Sequence, residues 1–170
     1  SPMSRGLGDV YKRQGVDTSP QPAREIPVWV GGSSPAALRR SVTLGTAWHP
    51  IRVRPRWFVD TAIPRLQAVA DDLGRPRPDL CPRIMFAITD QPTPEDERFM
   101  GHGTIEQLHA DLHLLQEAGC AHVILDAYSP FDDIALRDVV DDPAGGYQQA
   151  WDDYQRVAEE VLDLAAERVR

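Results

Sequence analysis

The residues best suited to chemistry in this 170-residue chain lie together in Ile26–Arg40, IPVWVGGSSPAALRR. Val28, Trp29 and Val30 form a short apolar run with no polar residue alternating, the pattern of a strand buried on both faces. Gly31 and Gly32 allow positive φ and let a ligand approach the backbone without meeting a Cβ. Ser33 or Ser34 is suited to cap a helix, and Pro35 fits its first position. Strand, turn and helix in that order aim free N–H groups and the positive end of a helix dipole into the turn. The natural occupant is an anion, most often a phosphate. The same residues also make an ordinary strand–helix joint in which the glycines serve geometry alone. A dinucleotide fingerprint fits worse: the spacing is Gly-Gly-Ser-Ser, and no acidic residue ends the next strand.

Other reactive side chains carry less. His109 and His113 have the i, i+4 spacing of metal ligands, but Ala110 stands where a zincin has its glutamate and no third ligand is apparent. We assign no metal and read the pair as a solvated helix face. Cys81 and Cys120, the only cysteines, make no disulfide framework and read as small apolar filler. The loop bearing Asp132, Asp133, Asp138, Asp141 and Asp142 reads as solvated acid and not as a cation site.

The elements that must position these groups alternate regularly. A helix from Pro35 ends at Gly45, with Leu38 and Val42 one turn apart. Ala47–Ile51 (AWHPI) reads as a second strand. A helix over 55–73 follows, with Phe58, Ala62, Leu66, Val69 and Leu73 on one face and a kink expected at Pro64. After the break at Gly74–Pro78, Pro82–Thr89 (PRIMFAIT) reads as a third strand. Thr104 and Gln107 form a capping box opening a helix with Ile105, Leu108, Leu112 and Leu115 inward, ended by Gly119. His122–Ala127 (HVILDA) reads as the fourth strand. A last helix is expected over 147–169, with Val157, Val161, Leu164 and Val169 inward. Four β–α units in succession imply a parallel sheet covered by helices. Eight would close a (β/α)8 barrel, so four make half of one.

Ser4–Gln14 (SRGLGDVYKRQ) matches the translation of a transposase adapter used to prepare sequencing libraries, and it holds the chain's only lysine, Lys12. We therefore read residues 1–14 as outside the fold and 15–170 as a fragment of a longer protein. The net charge of −8 argues against a nucleic-acid partner, which needs a basic footprint. No apolar run approaches the roughly 20 residues of a membrane helix, and no secretory signal is visible. A cytoplasmic location is the expectation.

With the units laid out, the chain resembles the luciferase-like flavin and deazaflavin oxidoreductases, (β/α)8 enzymes that use FMN or coenzyme F-420. The likeness rests on Val28–Arg40 (VWVGGSSPAALRR), Gly45–Ile51 (GTAWHPI) and Gly103–Asp126 (GTIEQLHADLHLLQEAGCAHVILD), whose order matches strands five to eight, the C-terminal half of that fold. One departure is Gly45-Thr46-Ala47-Trp48, where the family commonly reads Gly-Asp-Gly-Trp. The resemblance implies that Gly31, Gly32, Ser33 and Ser34 lie at the cofactor's phosphate-bearing tail. It also implies that Trp48 and His49 rim a substrate pocket with Arg52, which with Arg54 is placed to meet an anionic substrate or the acidic tail of F-420. Ring-facing residues belong mostly to strands one to four, so no catalytic acid or base is assigned. The implied partners are a small-molecule substrate and an N-terminal half-barrel, with a homo-oligomer also open. FMN and F-420 are not separated, although the arginine-only character and the GGSSP turn lean toward F-420. Two readings compete: a non-catalytic half-barrel with weak phosphate affinity and two sheet edges prone to self-association, and a NADP-binding α/β domain with Arg52 near a 2′-phosphate, which a doubly wound strand order would favour.

Overall fold

The computed structural model describes residues 22–96, 98–127 and 143–170. The adapter-like segment and the acidic loop lie outside them. Strand β1 (Trp29–Gly31) pairs in parallel with β2 (Ala47–His49), and β2 pairs in parallel with β3 (Asp79–Leu80). Farther along the third strand, β4 (Arg83–Met85) pairs in parallel with β7 (Ile124–Asp126). Single bridges at Ile51–Arg83 and Leu80–Cys120 tie the two sheets together. The strands thus follow chain order, first to fourth, all pointing one way. A doubly wound sheet would reverse that order at a switch point.

The sequence pattern explains the helical layer. Helix α1 (Pro35–Leu44) starts at Ser34, whose side chain accepts the Ala37 N–H, and stops at Gly45. The run expected over 55–73 is continuous but not uniform. A short α2 (Pro55–Trp57) leads through a π-helical turn (Phe58–Ala62) into α3 (Ile63–Asp72). Pro64 has no N–H and its ring crowds the preceding turn, and the wider π turn absorbs both defects. Helix α4 (Ile105–Glu117) carries the complete Thr104–Gln107 capping box. Trp48, Phe58, Leu66, Leu80, Ile84, Leu108 and Leu115 meet in one fully buried core between sheet and helices.

Three expectations are corrected. β1 is not buried on both faces: Val28 is 50% exposed and Trp29 38%, because among the described residues β1 pairs on one side only. The third strand begins at Asp79, not Pro82. It is broken at Pro82, and its end, β5 (Ala87–Ile88), pairs in parallel with β6 (His102–Gly103) inside the connector. The last helix, α5 (Pro143–Arg156), passes through a second π turn (Val157–Val161) and ends there. β8 (Leu162–Asp163) and β9 (Arg168–Val169) then form a small antiparallel hairpin. Val157 and Val161 are buried as expected, whereas Leu164 is exposed in the hairpin. The Val169 N–H goes to the Gln116 side chain on α4 instead of back along a helix.

Candidate functional site

Pairing register separates the two faces of the sheet. Val30, Trp48 and Leu80 stand in one row and pack toward the helices. Trp29, Ala47 and Asp79 stand in the adjacent row on the inner face, as do Gly31 and His49. The fourth strand pairs Leu80 with Cys120 but Arg83 with Ile124. That extra residue is a β-bulge, and it places Ile124 and Asp126 in the rows of Arg83 and Met85. The inner face is concave. Trp29, on the first strand, lies 5.5 Å from the His49 ring and stacks at 5.6 Å on His122, at the start of the fourth.

At the C-terminal end of β1, the Gly31–Ser34 turn is exposed and open. Gly32 has φ +96°, and a Cβ there would also press on Ala37 Cβ at 3.1 Å, so the residue must be glycine. Its carbonyl is held by the Trp48 indole N–H at 2.8 Å. Ser34 spends its hydroxyl on Ala37 and its carbonyl on Leu38. Among the described residues, the N–H groups of Ser33, Ser34 and Ala36 have no partner. These amides, at the positive end of a ten-residue helix, can take an anionic oxygen.

The structure brings His49 to the same end of the sheet. Its Nδ1 lies 2.6 Å from the Cys81 carbonyl. A carbonyl only accepts, so Nδ1 carries the proton and a neutral His49 keeps Nε2 as an acceptor. Trp48 is placed differently from its expectation. It is fully buried, stacked on Phe58 at 6.0 Å, and reaches the site only through its bond to Gly32. Arg52 follows in the β2–α2 loop, exposed, with φ +54°, an uncommon conformation for a side-chain-bearing residue. The turn and His49 therefore share an end with Arg52, whereas Trp48 supports the turn from behind.

Two charged pairs escaped the sequence reading. On the inner face Arg83 donates Nε (2.8 Å) and Nη2 to Asp126 Oδ2. Behind it, Arg98 and Asp111 form a buried two-pronged pair at 2.5 and 2.9 Å, and the Gly101 N–H donates to the same carboxylate. Burial pushes the Asp111 carboxyl above the ordinary carboxylate range, against the pull of Arg98 and Gly101. Arg98 also holds Glu95, keeping that carboxyl low. This cluster fixes the connector between β5 and α4, which docks on the β2–α2 loop. There the Met100 N–H reaches the Val53 carbonyl at 2.8 Å, Arg54 reaches the Asp96 carbonyl at 2.7 Å, and the Arg54 guanidinium lies over Phe99. The only hint in the sequence was opposite charge on neighbouring elements, which is common on surfaces and does not by itself mark a buried pair.

The remaining candidates lie elsewhere. His109 Nε2 is 2.7 Å from the terminal Arg170 carbonyl, and His113 pairs with Glu117. Among the described residues no three His, Cys, Asp or Glu side chains are grouped to hold a metal ion. Cys81 is buried and Cys120 half-buried, both as free thiols. Burial raises both, Cys120 to about 12. Among the described residues no helix is long and apolar enough to cross a membrane.

Comparison with known proteins agrees with this geometry. No curated protein matches the chain. Among solved structures it is similar to an F-420-dependent secondary alcohol dehydrogenase in complex with an F-420–acetone adduct. The identity is 16% and the TM-score 0.51, over 65% of this chain and 46% of that one. The chain thus spans less than half of that neighbour, and the likeness is one of fold. Residues 4–169 match the luciferase-like monooxygenase family. Sequential parallel strands, an open Gly-Gly-Ser-Ser turn at their C-terminal end and a family match over nearly the whole chain lead to one conclusion: this chain belongs to the luciferase-like monooxygenase family.

Proposed function

We propose that the chain is the C-terminal half of a (β/α)8 oxidoreductase, strands five to eight, and that its Gly31–Ser34 turn receives the phosphate of a deazaflavin or flavin cofactor. The observation that carries this reading is the turn itself: Gly32 at φ +96°, amides without partners among the described residues, and an indole N–H holding the Gly32 carbonyl back. That carbonyl would otherwise face and repel an anion. The turn fits the group it is asked to hold, because both glycines leave the backbone uncovered. When bound, the cofactor ring supplies the hydride chemistry. The chain's own share is to anchor the phosphate through Ser33, Ser34 and Ala36 N–H, and to present His49 Nε2 and Arg52 at the mouth. The F-420 dependence of the structural neighbour supports F-420 over FMN. In this reading the chain alone turns over no substrate, since ring-facing groups belong to strands one to four, and it works in the cytoplasm.

Titration of the purified chain with F-420, FMN and inorganic phosphate, followed by calorimetry, tests the proposal. Saturable binding of a phosphate-bearing cofactor is expected, weakened about tenfold or more in Gly32→Ala, which corresponds to about 1.4 kcal/mol. Absence of binding to all three, or equal binding by a folded Gly32→Ala variant, overturns it.

A further inference from the structure

The connector between β5 and α4 is built around one side chain that the fold itself does not use. Along the third strand Ile84 and Phe86 enter the core and Ile88 packs against it, so Arg83, Met85 and Ala87 take the other face. β6 pairs His102 with Ala87, and paired residues of a ladder share a face, so His102 joins that row. The third strand sends the N–H groups of Asp79, Cys81 and Arg83 to the second strand, and those of Ala87 and Thr89 to Gly101 and Gly103. β6 therefore takes the second strand's place at the C-terminal mouth, where the Met100 N–H meets the Val53 carbonyl. Glycines on both sides of His102 hold it there. At Gly101, φ +89°, a Cβ would stand 2.9 Å from the Met85 carbonyl oxygen, and at Gly103, φ +145°, it would collide with the Gln107 side chain. The Asp111 carboxylate anchors the Gly101 N–H from beneath. His102 is half-buried. Its backbone N–H donates to the Phe99 carbonyl, but its ring has no hydrogen-bond, ion-pair or ring partner among the described residues.

We infer that His102 hydrogen-bonds the substrate oxygen in a subsite for a small uncharged alcohol or carbonyl compound, with Ala87 as its floor and the Arg83–Asp126 pair as its far wall. The C-terminal strand ends are where a parallel barrel places its site, and β5 and β6 lie there. Asp126 pairs with Met85, one row below Ala87 and on the side away from His102. Neighbouring strands lie about 4.8 Å apart, so the two polar walls stand roughly 10 Å apart at the backbone. A small molecule fills that width between two side chains, and the short Ala87 leaves room beneath it. The ligand class follows from charge. Arg83 spends Nε and Nη2 on Asp126 Oδ2, so the far wall is a neutralised pair with no net charge to draw an anion. A neutral histidine ring accepts from a hydroxyl through one nitrogen and donates to a carbonyl oxygen through the other. His102 thus fits both members of an alcohol–carbonyl couple. His49 lies lower on the sheet, where its Nδ1 is already spent on the Cys81 carbonyl. The subsite deepens the oxidoreductase reading proposed above and rests on it.

Nuclear magnetic resonance of the purified chain with nitrogen-labelled histidine rings, titrated with cyclohexanol, cyclohexanone and cyclohexanecarboxylate, reads the subsite directly. The His102 ring signals should shift saturably with the alcohol and the ketone, and with about tenfold lower affinity for the carboxylate. Those of His109 and His113, on the outer face of α4, should not move. His102→Ala should abolish binding at an unchanged urea midpoint, because the ring has no partner to lose. His102→Gln, which keeps a donor and an acceptor, should restore part of the binding. Ala87→Leu, which fills the floor, should weaken it about tenfold or more. No saturable shift at His102 overturns the inference, as does equal or tighter binding of the carboxylate, or binding that survives either His102→Ala or Ala87→Leu. A lowered urea midpoint in His102→Ala also overturns it, since the ring would then be structural. Calorimetry with phosphate and the two cofactors reads the turn separately. If the turn binds and the probes do not, the subsite falls alone; if the turn binds nothing, the reading beneath it falls.

Discussion

Replacing Asp111 by alanine should be the most damaging single change on the connector. The carboxylate is 2% exposed, its partner Arg98 is 3% exposed, and it also accepts the Gly101 N–H. Truncation leaves a guanidinium out of water with Glu95, itself 63% exposed, as its remaining acidic partner among the described residues. Breaking a buried pair in this way costs about 3–5 kcal/mol. For a domain of this size that lowers the melting temperature by roughly 10 °C. The double change Arg98→Met with Asp111→Leu should behave differently. Burial raises the Asp111 carboxyl despite Arg98 and Gly101, and exchanging a whole buried pair for apolar groups of similar volume is commonly neutral or stabilising, so the double variant should stay within about 1 kcal/mol of wild type. Urea unfolding followed by circular dichroism measures both. Hydrogen exchange supplies a local readout: in Asp111→Ala the Met100 amide, bonded to the Val53 carbonyl, should exchange faster than the core of α3. A single variant within about 1 kcal/mol of wild type, or a double variant as unstable as the single, would refute the reasoning.

Trp48→Phe keeps a ring against Phe58 but removes the only indole bond to the Gly32 carbonyl; it should cost about 1–2 kcal/mol in unfolding experiments and weaken phosphate binding at the turn in calorimetry. Cys120, its thiol pushed up to about 12 by burial, should be alkylated at pH 8 roughly a thousandfold more slowly than an ordinary thiol. Cys81, raised for the same reason, should also be slow, and mass spectrometry should find both modified only after unfolding.

How much of this was legible in the sequence depended on whether a feature is local. The Ser34 cap, the Thr104–Gln107 box, the Gly45 stop and the Leu108–Leu112–Leu115 stripe are written in neighbouring residues, and all are formed. Strand order was legible too, because alternating units leave few topologies. Exposure was not. VWV reads as a doubly buried strand, yet whether a neighbour lies on its far side is decided outside the segment. Trp48 shows the same limit: alternation along β2 put His49 and Trp48 on opposite faces, and a site reading that kept both at the mouth could not hold. The hairpin after Val161 was missed because Leu164 and Val169 continue the helical period of Val157 and Val161. What competes is the bond from Val169 to Gln116, 53 residues away. Arg98 with Asp111 was missed for a related reason, since solvation and not charge separates a buried pair from a surface one.

These placements share a physical logic. The helix side of the sheet is well closed: its large residues are buried, α1 and α4 are capped, and even Pro64 is accommodated by a π turn. On the inner side Ala47, Cys81 and Met85 are buried too, and exposure is confined to a few positions and the strand ends. Trp29, Ile51 and Ile124 meet solvent, Arg52 holds positive φ, and the amides after Gly32 have no partner among the described residues. The strand ends thus carry aromatic, aliphatic and anion-seeking groups within reach of solvent, while the core behind them is closed. The connector bears on this directly. Arg98 and Asp111 brace it from beneath so that Arg54 and Phe99 dock at the mouth, beside the ends where luciferase-like barrels hold their cofactor in our proposal. Stability buried under the connector and openness at the strand ends are thus two sides of one arrangement.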